Sequence, residues 1–129
     1  MLRVLLVEDN HIIGEEFKKS LYDRFPSMVV EEAANGEEAF EKIKGVLPYL
    51  IFMDIRLPGQ NGLKLTQKIK EDFPSVNVAI LTSYDLPEYR QAAIQWGADC
   101  LFVKSSFNWD EVNAFVKSIS PGGFKNPCL

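Results

Sequence analysis

Short apolar runs alternate with segments whose apolar residues recur every three or four positions. The runs predict strands at 3–7, 28–33, 50–54, 77–82 and 100–104. The intervening segments predict helices over about 10–24, from 35–36 onward, and over about 61–72, 87–96 and 108–119. The chain therefore repeats a strand-then-helix unit five times.

This order predicts an α/β fold, a flavodoxin-like (βα)5 doubly wound parallel sheet with strand order 2-1-3-4-5. Near-continuous apolar strands fit a sheet that is covered by helices on both faces. The second run is the most polar of the five, so we expect it at an edge of the sheet.

Length and charge limit the classes of protein to consider. The 129 residues suit one domain with one core, and the net charge of −4 argues against a nucleic-acid-binding surface on it. No apolar run reaches the roughly 20 residues of a membrane span, and the first run is too short for a signal peptide. We expect a cytoplasmic domain without direct contact to nucleic acid or membrane.

A few residue types refine this expectation. Cys100 and Cys128 match no zinc-binding spacing, and in a reducing compartment we expect no disulfide. The single histidine, His11, follows a helix start and is expected to be an exposed helix residue. Pro and Gly without periodicity fill the C-terminal residues, so we expect a domain at 1–120 and a tail or the start of a linker at 121–129.

Polar side chains follow four of the five predicted strands. Glu8 and Asp9 follow the first strand, Asp54 ends the third, Thr82 ends the fourth and Lys104 ends the fifth. Ligands of open parallel sheets bind beyond the carboxyl ends of the strands, so these side chains are expected to converge there.

One lysine cannot balance three carboxylates, so the cluster predicts a Mg²⁺ site that leaves room for phosphate oxygens. A carboxylate in such a setting can act as a nucleophile and form an aspartyl phosphate on Asp54. Lys104 would offset charge on the phosphoryl oxygens, and the Thr82 hydroxyl would donate to one of them. A buried Asp54–Lys104 salt bridge without metal is the alternative, but it leaves Glu8 and Asp9 unexplained.

These pieces resemble the receiver domain of two-component response regulators. The matching motifs are VLLVEDN, MDIRLPGQNG, ILTSYD and GADCLFVKSS, and the resemblance covers roughly residues 3–119. The chain is most similar to receivers that are fused to helix-turn-helix DNA-binding domains. The resemblance implies that Asp54 is the phosphoacceptor. Asp9, Asp54 and the main-chain carbonyl of Arg56 would bind Mg²⁺ directly, and Glu8 would bind it through water.

The same resemblance implies the phosphoryl contacts, the switch and the partners. Thr82 and Lys104 would contact the phosphoryl group, and Thr82, Tyr84 and Leu101 would form the switch region. Arg56 and Tyr84 occupy variable positions that influence access to the phosphoryl group. The donor would be a sensor histidine kinase or a phosphotransfer protein. Output, with transcription favoured, would depend on the face of the fourth helix, fifth strand and fifth helix, which could also form a homodimer.

Two residues depart from the family pattern. Leu101 stands where the family usually has an aromatic residue, and Ser105 stands where a cis proline is common. A cis bond before a non-proline residue costs roughly 2.5–4 kcal/mol, so we expect the Lys104–Ser105 bond to be trans.

Three other functions fit the sequence less well. A pseudo-receiver that binds proteins constitutively is the main alternative, favoured only by Leu101. A Mg²⁺-dependent phosphatase would need a second acid two residues after its nucleophile, where Asp54 is followed by Arg56 and Asp9 by His11. A flavin site is disfavoured because the loop EDNHIIG lacks a phosphate cradle rich in Ser, Thr and Gly.

Overall fold

The predicted strands and helices are present in the computed structural model, which describes residues 2–57, 59–104 and 108–119. The strands of the central sheet are β1 (Arg3–Val7), β2 (Val29–Ala33), β3 (Leu50–Asp54), β4 (Asn77–Thr82) and β5 (Cys100–Val103). The helices are α1 (His11–Arg24), α2 (Gly36–Gly45), α3 (Gly62–Asp72), α4 (Pro87–Gln95) and α5 (Trp109–Ile119). Each predicted bound lies within one residue of the observed one.

Local capping explains where the helices begin. The side chains of Asn10, Asn35 and Asn61 each accept a hydrogen bond from a main-chain N–H in the first turn of α1, α2 and α3. Helix α4 begins instead with Pro87, whose missing N–H needs no partner at that position. Gly97 follows the end of α4 with φ of 91°, a conformation that favours glycine.

The sheet has the predicted order, β2-β1-β3-β4-β5, and all its pairs are parallel. The polar strand β2 lies at an edge, as its composition indicated. The register sets Asp54 opposite Leu81 and Thr82 opposite Val103, so the carboxyl ends of β3, β4 and β5 form one line. The polar residues of that line are therefore neighbours in space.

Alternation along the strands gives each face of the sheet its own core. Helices α2, α3 and α4 cover one face, which includes Leu5, Met53, Ile80 and Leu101. Helices α1 and α5 cover the other face, which includes Leu6, Phe52, Leu81 and Phe102. Leu101 and Phe102 therefore point to opposite sides of the sheet.

One small element was not predicted. Arg56–Leu57 pairs with Gln60–Asn61 as a two-residue antiparallel ladder between β3 and α3. Gly59 has φ of 66°, which supplies the tight turn of this hairpin. The segment is too short to show an apolar period, so the sequence indicated only a turn. The hairpin sets the path of the chain just after Asp54.

The expectation about cysteine is wrong for Cys100, whose sulfur is disulfide-bonded. Cys128 lies outside the described residues, as do Ser105 and the predicted tail. The expectation was argued from the redox compartment and not from the surroundings of Cys100. Among the described helices, none combines the length and the apolar character that crossing a membrane requires.

Candidate functional site

Three carboxylates meet at the carboxyl ends of β1 and β3. Oxygen atoms of Glu8, Asp9 and Asp54 all lie within 4.8 Å of one another. Glu8 and Asp54 are only 8% and 7% exposed, whereas Asp9 is exposed. Strands β1 and β3 are hydrogen-bonded neighbours with Val7 opposite Met53, and this register brings the acids together. The predicted convergence of these three residues is therefore observed.

Lys104 contributes the positive charge of the cluster. Its Nζ donates to Glu8 Oε2 at 2.9 Å and lies 3.4 Å from Asp54 Oδ2. Its main-chain N–H donates to the Thr82 carbonyl at 2.7 Å, which holds the residue at the end of β5. The sequence indicated Asp54 as the partner of this lysine, but the shorter contact is with Glu8. A single ammonium thus lies between two nearly buried carboxylates.

The surroundings of Glu8 disfavour its ionised form. Burial raises the pKa of Glu8 above its usual range, and the neighbouring Asp54 carboxylate raises it further. The hydrogen bond and the charge of Lys104 lower the pKa of Glu8, but they do not cancel the rise. A hard divalent cation would relieve the remaining repulsion.

The residues at this site fit Mg²⁺. The donor set is made of oxygen atoms, which Mg²⁺ prefers, and exposed Asp9 leaves one side of the cluster open to water. The loop after β3 begins beside the carboxylates, since the Arg56 main-chain N–H donates to Asp54 Oδ1 at 3.3 Å. Such a site would keep positions free for the oxygen atoms of a phosphate group.

Thr82 is 2% exposed and ends β4 beside the cluster. Its Oγ1 accepts from the Tyr84 N–H at 3.1 Å and lies 3.4 Å from the Tyr84 carbonyl oxygen. The hydroxyl is therefore engaged by its own loop in this structure. A new acceptor near Asp54 would have to compete with these local contacts.

An aromatic and cationic group covers one side of the pocket, and the sequence did not predict its contacts. The Arg56 guanidinium lies 4.5 Å from the centre of the Tyr84 ring. The Tyr84 and Tyr89 rings are 6.4 Å apart. A hydrogen bond with the Tyr89 side chain raises the pKa of Arg56, so its positive charge is secure. These contacts join the loop after β3 to the loop after β4.

Gly62 is a further residue that sequence reasoning did not single out. A Cβ atom at this position would lie 1.9 Å from the Asp54 carbonyl oxygen and 2.9 Å from the Ile55 Cα. The Gly62 N–H also donates to the Ile55 carbonyl at 2.7 Å. Only glycine allows the start of α3 to approach β3 this closely. The glycine of the motif LPGQNG was visible in the sequence, but its contact was not.

The polar residues line an open pocket of about 250 Å³. Its walls include Asp54, Thr82, Lys104 and the Arg56–Tyr84 pair, and Tyr89 closes one side. Leu101, predicted for the switch region, is buried in the core on the α4 face and does not line this pocket. A phosphate-sized group could reach Asp54 from solvent.

Comparison with known proteins agrees with this geometry. The family model described as the response regulator receiver domain matches residues 4–117. The transcriptional regulatory protein LnrK of Bacillus subtilis is 32% identical over 127 residues, which is 98% of this chain and 57% of that protein. The response regulator GacA of Pseudomonas protegens is 32% identical over 98 residues, 76% of this chain and 46% of that protein. The chain thus spans about half the length of the curated relatives it matches.

Solved structures match over almost the whole chain. The response regulator TrrA of Thermotoga maritima, crystallised in complex with Mg(2+)-BeF, superposes with a TM-score of 0.80 and 34% identity. The match covers 92% of this chain and 99% of that one. A LuxR-family response regulator from Aurantimonas sp. SI85-9A1 gives a TM-score of 0.82 with 28% identity, over 92% of this chain and 85% of that one.

Proposed function

Because the chain belongs to the response regulator receiver domain family, we propose that it is a phosphorylation-controlled switch with Asp54 as phosphoacceptor. Receiver domains are signalling switches rather than turnover enzymes. The observation that carries the proposal is the convergence of Asp54, two further carboxylates and Lys104 on one open pocket. No other cluster among the described residues combines a buried carboxylate with a lysine and a hydroxyl in this way.

The proposed reaction is a phosphoryl transfer to the Asp54 carboxylate. Receiver domains interact with histidine kinases or phosphotransfer partners, and here the donor would be a phosphohistidine of such a protein. One Asp54 oxygen forms a bond to phosphorus while the bond from phosphorus to the imidazole nitrogen breaks. The imidazole leaves with that electron pair and takes up a proton from solvent. The product is an acyl phosphate on Asp54.

The chain's own groups would position and stabilise the transferring phosphoryl group. Lys104 Nζ, already 3.4 Å from Asp54 Oδ2, would offset charge on one phosphoryl oxygen. Asp9, Asp54 and the Arg56 carbonyl would hold Mg²⁺ directly, with Glu8 acting through water. When bound, Mg²⁺ supplies positive charge to the phosphoryl oxygens. Receiver domains bind Mg²⁺ at their phosphorylation site.

Thr82 would transmit the change. Its hydroxyl must leave the Tyr84 main chain to donate to a phosphoryl oxygen. A neutral hydrogen bond contributes about 0.5–1.5 kcal/mol net and one to a charged group about 1.5–3 kcal/mol, so the exchange is favourable. Moving Thr82 would draw the loop before α4 toward Asp54. We propose that the surface of α4, β5 and α5 changes as a result, with Arg56 and Tyr84 limiting access to the phosphoryl group.

The output is proposed from the relatives. Those that match are longer and include transcriptional regulatory proteins, so we propose that this domain controls transcription through a further domain. The domain itself, residues 1–120, would not touch nucleic acid, and 121–129 would begin a linker. The α4–β5–α5 surface would form a homodimer or contact the output domain. We also propose a cytoplasmic location, which is consistent with two-component response regulators.

Phosphorylation of the purified chain tests the proposal. Incubation with Mg²⁺ and a small phosphodonor should add one phosphoryl group, measured as intact mass. The label should be absent in Asp54→Asn and with a chelator, and weaker in Lys104→Ala. Asp72→Asn, which changes an exposed aspartate at the end of α3, is the matched control and should be labelled like the original chain.

Two results would contradict the proposal. Label that persists in Asp54→Asn would place the acceptor at another residue. A chain that binds Mg²⁺ but takes no phosphoryl group, from either a small donor or a phosphorylated kinase, would favour the alternative of a pseudo-receiver that binds proteins constitutively.

A further inference from the structure

A second group of metal-ligating side chains lies at the edge of the sheet, outside the Asp54 pocket. His11 is the first residue of α1, and Glu15 follows one helical turn later on the same side of the helix. Glu32 lies next to them on the edge strand β2. One ligand atom from each of the three residues lies within 4.8 Å of the others. His11 and Glu32 also border an open pocket of about 460 Å³, whose far wall includes Glu8 and Asp9.

A second, independent observation is that one carboxylate oxygen of Glu32 lacks a hydrogen-bond partner within the described part of the chain. Its Oε1 atom is buried and has no hydrogen-bond partner among the described residues. The nearby Lys42 does not serve this oxygen, because its Nζ donates to the Glu32 main-chain carbonyl and pairs with Glu38 at 3.6 Å. A buried carboxylate oxygen without a partner is costly, so it indicates a bound ion or water that completes it.

The backbone of α1 allows the Glu32 carboxylate to lie close to the helix. A Cβ atom on Gly14, between His11 and Glu15 on α1, would lie 3.3 Å from Glu32 Oε1. Glycine at this position lets the carboxylate approach the helix closely. The carboxylate thus comes within 4.8 Å of the ligand atoms of both helix residues, His11 and Glu15.

We propose that His11, Glu15 and Glu32 form a second divalent-cation site, which takes Zn²⁺ or a similar transition-metal ion rather than Mg²⁺. An imidazole with two carboxylates is a donor set that Zn²⁺ accepts, with an open fourth position for water. Mg²⁺ prefers oxygen donors alone. The sequence by itself favoured an exposed helix role for His11, and the structure adds the two carboxylates.

The ligand atoms of His11, Glu15 and Glu32 need to move only slightly to bind one ion. Two ligands about 2.1 Å from one ion lie at most about 4.2 Å apart. The ligand atoms now lie within 4.8 Å of one another, and rotation of the exposed His11 and Glu15 side chains would shorten these distances to at most about 4.2 Å. A bound ion would then tie the first turn of α1 to strand β2. The site shares no residue with the Asp54 pocket, and the inference does not depend on the proposed function.

Calorimetric titration of the untagged full chain with Zn²⁺, at saturating Mg²⁺, tests the site. His11→Gln, Glu15→Gln and Glu32→Gln should each weaken Zn²⁺ binding by at least about tenfold, since even outer-shell changes cost about 10–100-fold. Glu16→Gln, on the same helix but outside the cluster, is the matched control. Lys18→Gln removes a positive charge from the pocket wall and should not weaken binding.

A spectroscopic readout makes the test specific. The chain has one histidine, so its imidazole proton resonances belong to His11 alone and should shift on addition of Zn²⁺. The shift and the Zn²⁺ affinity should both persist in Asp54→Asn, which separates this site from the phosphorylation site. Unchanged affinity in His11→Gln, or His11 resonances that do not respond to Zn²⁺, would overturn the proposal.

Discussion

Replacing Gly62 with alanine should damage both the fold and the site. The added Cβ would lie 1.9 Å from the Asp54 carbonyl oxygen, 2.8 Å from the Asp54 carbonyl carbon and 2.9 Å from the Ile55 Cα. All three neighbours are main-chain atoms of β3 or of its first following residue. They cannot rotate away, so either β3 or the start of α3 must move.

The size of the effect follows from this rigidity. Overpacking a close-packed interior by one or two carbon atoms typically costs 1–3 kcal/mol, occasionally more. Because the clash is with backbone, we expect a loss at the upper end, about 3 kcal/mol in the free energy of unfolding. With a urea m-value of about 1–3 kcal/mol per M, the unfolding midpoint should fall by about 1–3 M.

Urea unfolding of Gly62→Ala, followed by circular dichroism, measures this loss. Gly45→Ala is the matched control, because a Cβ there meets no atom within 4 Å at the last residue of α2. Alanine is favoured over glycine in a helix by roughly 0.5–1 kcal/mol, so the control should be neutral or stabilising. Phosphorylation of the folded fraction of Gly62→Ala should also be slower. Equal midpoints for Gly62→Ala and the original chain would refute the steric argument.

Four further predictions concern the charges and the switch. Burial raises the pKa of Glu8 in the folded state above its usual value. The protonated Glu8 side chain therefore adds to the free energy of unfolding at low pH, and this contribution is lost as the pH rises through the folded-state pKa. Glu8→Gln should flatten this pH dependence in chelator, and parallel unfolding curves would contradict it. Mg²⁺ should raise the melting temperature of the original chain but not of Asp9→Ala, and an unchanged response would place the ion elsewhere. Arg56→Ala, which uncovers the Tyr84 ring, should speed phosphorylation by a small donor; an unchanged rate would show that the pair does not restrict access. Structures with and without a phosphate mimic should show Leu101 buried in both while the loop after β4 moves, and a Leu101 that turns outward only in the free state beside a static loop would contradict this.

Much of the fold could be predicted because its signals are local. The run LIFMD at 50–54 is buried on both faces, so its uninterrupted apolar character indicated a central parallel strand. Asn10, Asn35 and Asn61 stand one position before their helices and marked each start to within a residue. The convergence of the site followed from topology, since parallel strands place their carboxyl ends at one edge.

The contacts across the site could not be predicted in the same way. That Lys104 approaches Glu8 more closely than Asp54 depends on side-chain positions at three strand ends. The stacking of Arg56 on Tyr84 joins two loops whose paths no periodicity fixes. The close approach at Gly62 depends on the exact packing distance between α3 and β3. Each is a tertiary distance, and the sequence carries only the residue types.

The ion pair between Lys104 and Glu8 joins residues 96 positions apart, one after the first strand and one after the last. The site therefore needs both ends of the sequence; it forms only when β1, β3, β4 and β5 are paired. Contacts of such long range are slow to form. A nascent or partly folded chain cannot be phosphorylated at a site it has not yet built. If Asp54 is the phosphoacceptor as proposed, only a chain whose sheet has formed can receive the phosphoryl group, and phosphorylation itself selects folded molecules.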